Sequence, residues 1–294
     1  MVSAQTEALH PDAKGLDARP LPEIARILAD GQIAAARAVH AALPDLAEAA
    51  SCMARTVRAG GVLHYCAAGS SGLMAAADAQ ELGGTFSIPP AQLRIHMAGG
   101  LPTGVEMPGA SEDDTKALDT GLADLTATDT LIAVSASGTT PYTLAATKMA
   151  KAAGATSLGI ANNPDTALLT AADIAICIPT PPEVLSGSTR MGAGTAQKIA
   201  LNMMSTMMAV ALGHVHDGMM VNVQADNIKL RNRAVGIVAR IAGVKSGEAT
   251  SALEATCGSV KAAILVARGK SADAAKALLD DTNDNLRAAL ARLT

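Results

Sequence analysis

Gly61-Val62-Leu63-His64-Tyr65-Cys66-Ala67-Ala68-Gly69-Ser70-Ser71-Gly72 runs from a short apolar stretch straight into a turn of small residues. Gly61 to Ala67 reads as a buried strand, and Ser70 to Leu82 reads as the helix that the turn opens. The same grammar returns further along. Thr130 to Val134 is a strand that ends at Ser135. Ser135-Ala136-Ser137-Gly138-Thr139-Thr140-Pro141 follows, and Pro141 to Ala153 is a helix with Gly154 at its end. Pro141 suits the first turn of a helix, where its missing N–H is not needed.

Working outward, Leu93 to Ala98, Ser157 to Ala161 and Ile174 to Ile178 are further strands, and a helix follows Glu112. Strands alternating with helices imply right-handed βαβ units around a mainly parallel sheet, hence an α/β fold. Such sheets take ligands at the carboxyl ends of their strands. Ahead of the sheet lies a polar arm with Pro11 and Pro20, then helical sequence from Leu21 to Val57 with a break suggested at Pro44. Behind it, helices are expected from Thr189 to Leu212 and from Asn222 to Ile241. From Gly243 three short helices are expected, with turns near Gly258 and Gly269. The expected organisation is an arm with helices (1–57), a sheet domain (58–241) and a small helical domain (242–294).

Composition narrows the function classes. The 294 residues are 49% hydrophobic, enough for a substantial core, yet only 1% aromatic, so Ala, Leu, Ile, Val and Met must fill it. A chain so poor in aromatics lacks the stacking surfaces of single-stranded nucleic-acid binders. A net charge of −4 gives no general attraction to phosphate polymers. The cysteines, Cys52, Cys66, Cys177 and Cys257, are scattered without metal-ligand or disulfide-framework spacing, which fits a reducing compartment. No signal-peptide pattern opens the chain, and the apolar run from Leu201 to Leu212 is too short to span a bilayer. A cytoplasmic protein is expected, with neither nucleic acid nor membrane as partner.

The two Gly/Ser loops carry the chemistry. Small residues let backbone approach an anion, the helix N-terminus supplies free N–H groups, and hydroxyls add donors. Either loop alone could be a tight turn with a serine cap. Two in one sheet argue for a phosphate monoester held by Ser70, Ser71, Gly72, Ser135, Ser137, Gly138 and Thr140. Neither loop is a Walker A sequence or a dinucleotide fingerprint. A third motif spans Pro182 to Lys198 and sets Glu183, Ser188, Thr189, Arg190 and Lys198 among small residues. A helix starting at Ser188 or Thr189 would put Arg190 in its first turn, where a cation opposes the dipole and calls for an anionic partner. His214-Val215-His216-Asp217 would need a further distant ligand to hold a metal, so no metal is expected.

The run from Glu183 through Thr206, including Gly194-Thr195-Ala196-Gln197-Lys198 and Leu201-Asn202-Met203-Met204-Ser205-Thr206, resembles the signature of the N-acetylmuramic acid 6-phosphate etherases. Ser137-Gly138-x-Thr140-Pro141-Tyr142 and Asn227-x-Lys229-Leu230 are similar too, and the resemblance covers almost the whole chain. It implies a SIS-type (sugar isomerase) three-layer α/β sandwich with a C-terminal helical domain, no cofactor, and a homodimer whose sites draw on both subunits. It implies two catalytic carboxylates. Asp78-Ala79-Gln80-Glu81 matches the first family glutamate, so Glu81 takes that role. Gly109-Ala110-Ser111-Glu112-Asp113 matches the second with one residue inserted, which makes Glu112 the candidate, with Asp113 and Asp114 beside it as alternatives.

The family's reaction removes the lactyl ether at C3 of its substrate, giving N-acetylglucosamine 6-phosphate and D-lactate. By resemblance, Glu112 is the base at C2 and Glu81 the acid at the ether oxygen. The chain departs from the family at Leu73, Thr139 and Gly192, where family members carry cations, and at Leu82-Gly83-Gly84. Those departures leave room for another SIS enzyme, such as an aldose–ketose isomerase, or for a non-catalytic sugar-phosphate sensor.

Overall fold

The computed structural model describes residues 5–107 and 111–293. Gly109 and Ala110 of the expected carboxylate motif lie outside them. Short 3₁₀ turns at Gln5–Glu7 and Leu16–Ala18 occupy the expected arm. Two helices follow, α1 (Leu21–Ala38) and α2 (Leu43–Arg58), with Pro44 in the first turn of α2, so the proline begins the second helix. The alternating region then reads β1 (Leu63–Ala67), α3 (Gly69–Ala79), α4 (Leu82–Phe86), β2 (Leu93–Met97), α5 (Lys116–Gly121) and β3 (Thr130–Ser135). It continues with α6 (Pro141–Ala153), β4 (Thr156–Ala161), α7 (Ala167–Ala171), β5 (Ile174–Cys177) and α8 (Gly192–Ala211). A two-stranded ribbon, β6 (Val215–His216) and β7 (Met219–Met220), precedes α9 (Ile228–Ala242), α10 (Ser246–Ala255), α11 (Val260–Ala267), α12 (Ala272–Asp280) and α13 (Leu286–Ala291).

Three boundaries differ from the sequence expectation. The helix expected from Ser70 to Leu82 stops at Ala79, turns through Gln80 and Glu81, and resumes as α4. The helix expected from Thr189 begins at Gly192. The tail holds four short helices after Gly243 among the described residues, because Asn283 and Asp284 adopt left-handed backbone and the side chain of Asn285 caps α13. By compactness the chain divides into Met1–Gln80 with Ala91–Ser205, and Glu81–Pro90 with Thr206–Thr294. The sequence pattern alone suggests 1–57, 58–241 and 242–294.

In the first unit, β1 to β5 form one parallel sheet in the order β2-β1-β3-β4-β5. Every residue of β1 and β3 is buried, as expected of strands covered on both faces. On one face Cys66, Leu131 and Ala133 pack with Leu118 and Leu122 around α5 and with Tyr142, Ala146 and Ala150 of α6. The chain leaves β1 towards β2 on one side and leaves β3 towards β4 on the other. The order therefore reverses between β1 and β3, and a crevice opens at their carboxyl ends. The two Gly/Ser loops leave from those two strands.

The second unit has its own core, in which Val221 and Val223 pack with residues of α9 to α13. Its ribbon turns at Asp217 and Gly218, both with positive φ, as a tight two-residue hairpin requires. No helix among the described residues is long and apolar enough to cross a membrane.

A histidine pair on β1 and β2 has a measurable consequence. His64 Nδ1 lies 3.0 Å from His96 Nε2, and the rings stack with centroids 5.2 Å apart. The other nitrogen of His64 is buried with no hydrogen-bond partner among the described residues. Burial lowers the pKa of both rings, that of His96 to about 4, and Arg94 adds to this while Asp124 opposes it. Asp129 also opposes the shift at His64. At His96 the unfolded chain therefore binds a proton near pH 6.5 that the folded chain refuses until about pH 4. Stability should be full above about pH 6.5 and fall by roughly 2–3 kcal/mol towards pH 4. Urea midpoints across that window check this, and His96→Gln should flatten the slope.

Candidate active site

The first loop gains its shape from Gly69, which has a φ of 53° and starts α3. A Cβ on Gly69 would stand 3.1 Å from Oε1 of Glu112, so a bare backbone keeps room for that carboxylate. Gly72 serves packing, since a Cβ there would meet the Met97 side chain at 2.9 Å. Ser70 and Ser71 are left in the first turn of α3, beside its free N–H groups.

The second loop is a hydroxyl cluster. Ser135 Oγ lies 2.8 Å from Thr140 Oγ1 and 3.3 Å from Ser137 Oγ, and it accepts the Gly138 N–H at 3.0 Å. Ser137 Oγ accepts from Thr139 N and Thr139 Oγ1. Gly138 has a φ of 70°, and a Cβ there would come within 2.3 Å of Thr166 Oγ1, so only glycine fits. Glu112 is fixed by its backbone: its carbonyl accepts the N–H of Tyr142, an otherwise orphaned donor in the first turn of α6.

These parts line one cavity of about 190 Å³ at the β1–β3 crevice. Ser70, Ser71, Glu112, Ser135, Ser137, Thr140 and Thr189 face it together. Of the three carboxylates in the Glu112 segment, only Glu112 is among the lining residues. Asp113 is exposed, and Asp114 accepts the Lys116 N–H at 3.0 Å. Glu81 belongs to the second unit, where it is exposed and precedes α4.

The third motif is arranged differently from its sequence reading. Glu183 is only 4% exposed, and its two carboxylate oxygens accept the N–H groups of Gly192 and Ala193, each at 2.8 Å. An acid at that helix terminus is favoured by the dipole. Arg190 stands before the helix in the preceding turn, exposed, beside the half-buried Thr189. Ser188 is half-buried in the same turn. The Lys198 amine is buried with no hydrogen-bond partner among the described residues, and its charge favours the ionised form of Asp78.

One lining residue was not singled out from sequence. Glu7 comes from the N-terminal arm, whose Thr6 is 1% exposed and bonded twice to Asn163. A larger concavity of about 790 Å³ lies within the second unit, but its charged groups, Asp217 and Arg287, neutralise each other at 2.5 Å. Among the described residues, no three His, Cys, Asp or Glu side chains converge as metal ligands.

What the small cavity can hold follows from its lining. Hydroxyls and two helix N-termini face an anion with neutral donors, and a carboxylate stands beside them to exchange a proton. Comparison with known proteins agrees with this inventory. Residues 106–212 match the SIS domain. An N-acetylmuramic acid 6-phosphate etherase of Deinococcus radiodurans is 43% identical over 89% of this chain and 87% of its own length. That of Streptomyces avermitilis is 42% identical over 97% of this chain and 93% of its own. That of Salmonella schwarzengrund is 37% identical, covering 97% of each. Among solved structures, an Escherichia coli CFT073 protein, solved as a complex with a ligand, has a TM-score of 0.52 and 15% identity, covering 67% of this chain and 94% of that one. A Bacteroides fragilis protein involved in capsule formation has a TM-score of 0.53 and 20% identity, covering 68% of this chain and 95% of that one. The fold is therefore that of the SIS domain, and at this identity over nearly its full length the chain belongs to the N-acetylmuramic acid 6-phosphate etherase family.

Proposed function

We propose that this protein cleaves the D-lactyl ether of N-acetylmuramic acid 6-phosphate, releasing D-lactate and leaving N-acetylglucosamine 6-phosphate. The observation that carries the reading is the Glu112 carboxylate held against the first hydroxyl loop at the β1–β3 crevice, within a chain of this family. The phosphate sits between the Ser70–Ser71 turn and the Ser135, Ser137 and Thr140 hydroxyls. Opening of the sugar ring exposes an aldehyde at C1, which acidifies the proton on C2. Glu112 removes that proton. The electron pair left on C2 forms the C2–C3 double bond as the C3–O bond to lactate breaks, and Glu81 supplies the proton to the departing oxygen. Water then adds, its hydroxyl at C3 and its proton at C2. Two carboxyl groups, one taking up the C2 proton and one giving a proton to the leaving oxygen, suffice for this sequence.

Incubation with N-acetylmuramic acid 6-phosphate and assay for D-lactate tests the reading. Conversion of an aldose to a ketose without lactate would favour an isomerase, and binding without turnover a sensor. The phosphate placement has its own test. Ser137→Ala with Thr140→Ala should weaken substrate binding by about 1.5–3 kcal/mol per lost bond to a charged group. The effect should appear as a raised KM with kcat little changed, and an unchanged KM would displace the phosphate from this loop.

The active form is a homodimer with sites completed across subunits, as the family resemblance implies. Sedimentation should give twice the chain mass at working concentration. The free thiols Cys52, Cys66, Cys177 and Cys257 suit a reducing, cytoplasmic setting.

A further inference from the structure

We infer that Glu7 is a substrate-binding residue that accepts a hydrogen bond from a hydroxyl or amide N–H of the sugar, and so sets specificity for the part of the ligand remote from phosphate. Thr6 donates its backbone N–H to Asn163 Oδ1 at 3.2 Å, and its hydroxyl accepts from Asn163 Nδ2 at 3.0 Å. Asn163 in turn donates to the carbonyl of Ala136 at 3.0 Å, in the hydroxyl loop itself. The arm is thus bolted to the site's own backbone one residue before Glu7. From the other side, Ser186 Oγ donates to the Glu7 carbonyl at 3.5 Å. Gly187, with a φ of 73°, leaves bare backbone where a Cβ would stand 3.4 Å from Glu7 Oε2.

Among the described residues, Glu7 and Glu112 are the carboxylates that line this cavity, and no lysine or arginine lines it. A carboxylate repels a phosphate dianion, so Glu7 is not a phosphate ligand. Its carboxylate oxygens are hydrogen-bond acceptors, which suits the neutral O–H and N–H donors of an amino sugar.

The inference rests on the proposed reaction, and its test is separable from that reading. D-lactate release by the unaltered enzyme is measured first, since its absence would end the reaction assignment whatever Glu7 does. With release established, Glu7→Ala should raise KM about 10–100-fold and change kcat less than about threefold. Glu7→Gln keeps an acceptor oxygen and should recover part of the loss. Inhibition by inorganic phosphate, which lacks the sugar, should be unchanged or stronger in Glu7→Ala. Glu7 is exposed, so melting temperatures should stay within about 2 °C of the unaltered protein. An unchanged KM, or phosphate inhibition weakened in step with KM, overturns the assignment. A kcat loss beyond about 100-fold also overturns it, because it would make Glu7 a proton-transfer group.

Discussion

Glu112→Ala should lose D-lactate release and deuterium exchange at C2 together, each by about 10²–10⁴-fold, the usual contribution of a general base. The two losses are coupled because the C2 proton must leave before or with the lactyl oxygen. Exchange is followed by proton NMR of the sugar in D2O. Glu81→Gln makes the informative contrast. It should lose lactate release by a similar factor while retaining part of the C2 exchange, since the base is intact and only the departing oxygen lacks its proton. Asp113→Asn should do little, because Asp113 is absent from the cavity lining. Asp114→Asn should act through its local bond to the Lys116 N–H and leave exchange in place. If Glu112→Ala exchanges C2 at the unaltered rate, the base is another group. Glu7, the other carboxylate lining the cavity among the described residues, would then have to be tested for that role.

The sheet and its two loops were legible because their signals are local. Short apolar runs end in Gly/Ser turns that open helices, and a parallel sheet buried on both faces demands such runs. The strand order was not legible, yet it makes a site of the two loops by setting β1 beside β3. Glu112 was reached by resemblance; on its own spacing it would have read as an ordinary acid ahead of a helix. Glu7 was hidden by distance along the chain, since its placement depends on Thr6 meeting Asn163, which no local pattern announces. The start of α8 was misplaced for a related reason. Its cap is Glu183, nine residues before Gly192, whereas sequence signatures look about three residues back. Arg190 therefore stands just ahead of the helix, not in its first turn, and the carboxylate facing the free N–H groups at that terminus is Glu183.

Asp78→Ala should destabilise the protein by about 3–5 kcal/mol, the range for removing one member of a buried, charge-assisted group. From sequence Asp78 is only the residue that opens the Asp78–Glu81 match. In the fold it is 1% exposed and accepts hydrogen bonds from Asn202 Nδ2 at 2.7 Å, Ser205 Oγ at 3.0 Å and Tyr65 Oη at 3.2 Å. Burial pushes its carboxyl pKa up, while the three donors and the charge of Lys198 pull it down. Burial, with Asp78 beside it, holds Tyr65 well above the ordinary phenol range, so its hydroxyl stays a donor. Alanine would orphan the buried Tyr65 hydroxyl and leave the buried Lys198 amine without its counter-charge, while Ser205 Oγ keeps its bond to the Asn202 carbonyl and the exposed Asn202 amide turns to solvent. Asp78→Asn keeps an acceptor oxygen for Asn202 and Ser205 and should cost less, which separates shape from charge. Urea midpoints of the three proteins check the order, and an alanine variant within about 1 kcal/mol of the parent would show that the group is relaxed by water. The consequence reaches the site within the first unit. Asp78 lies at the end of α3, the helix whose first turn carries Ser70 and Ser71, and it ties that helix to Asn202 and Ser205 of α8. Asp78→Asn should therefore raise KM through misplaced hydroxyls even at temperatures where the variant remains folded.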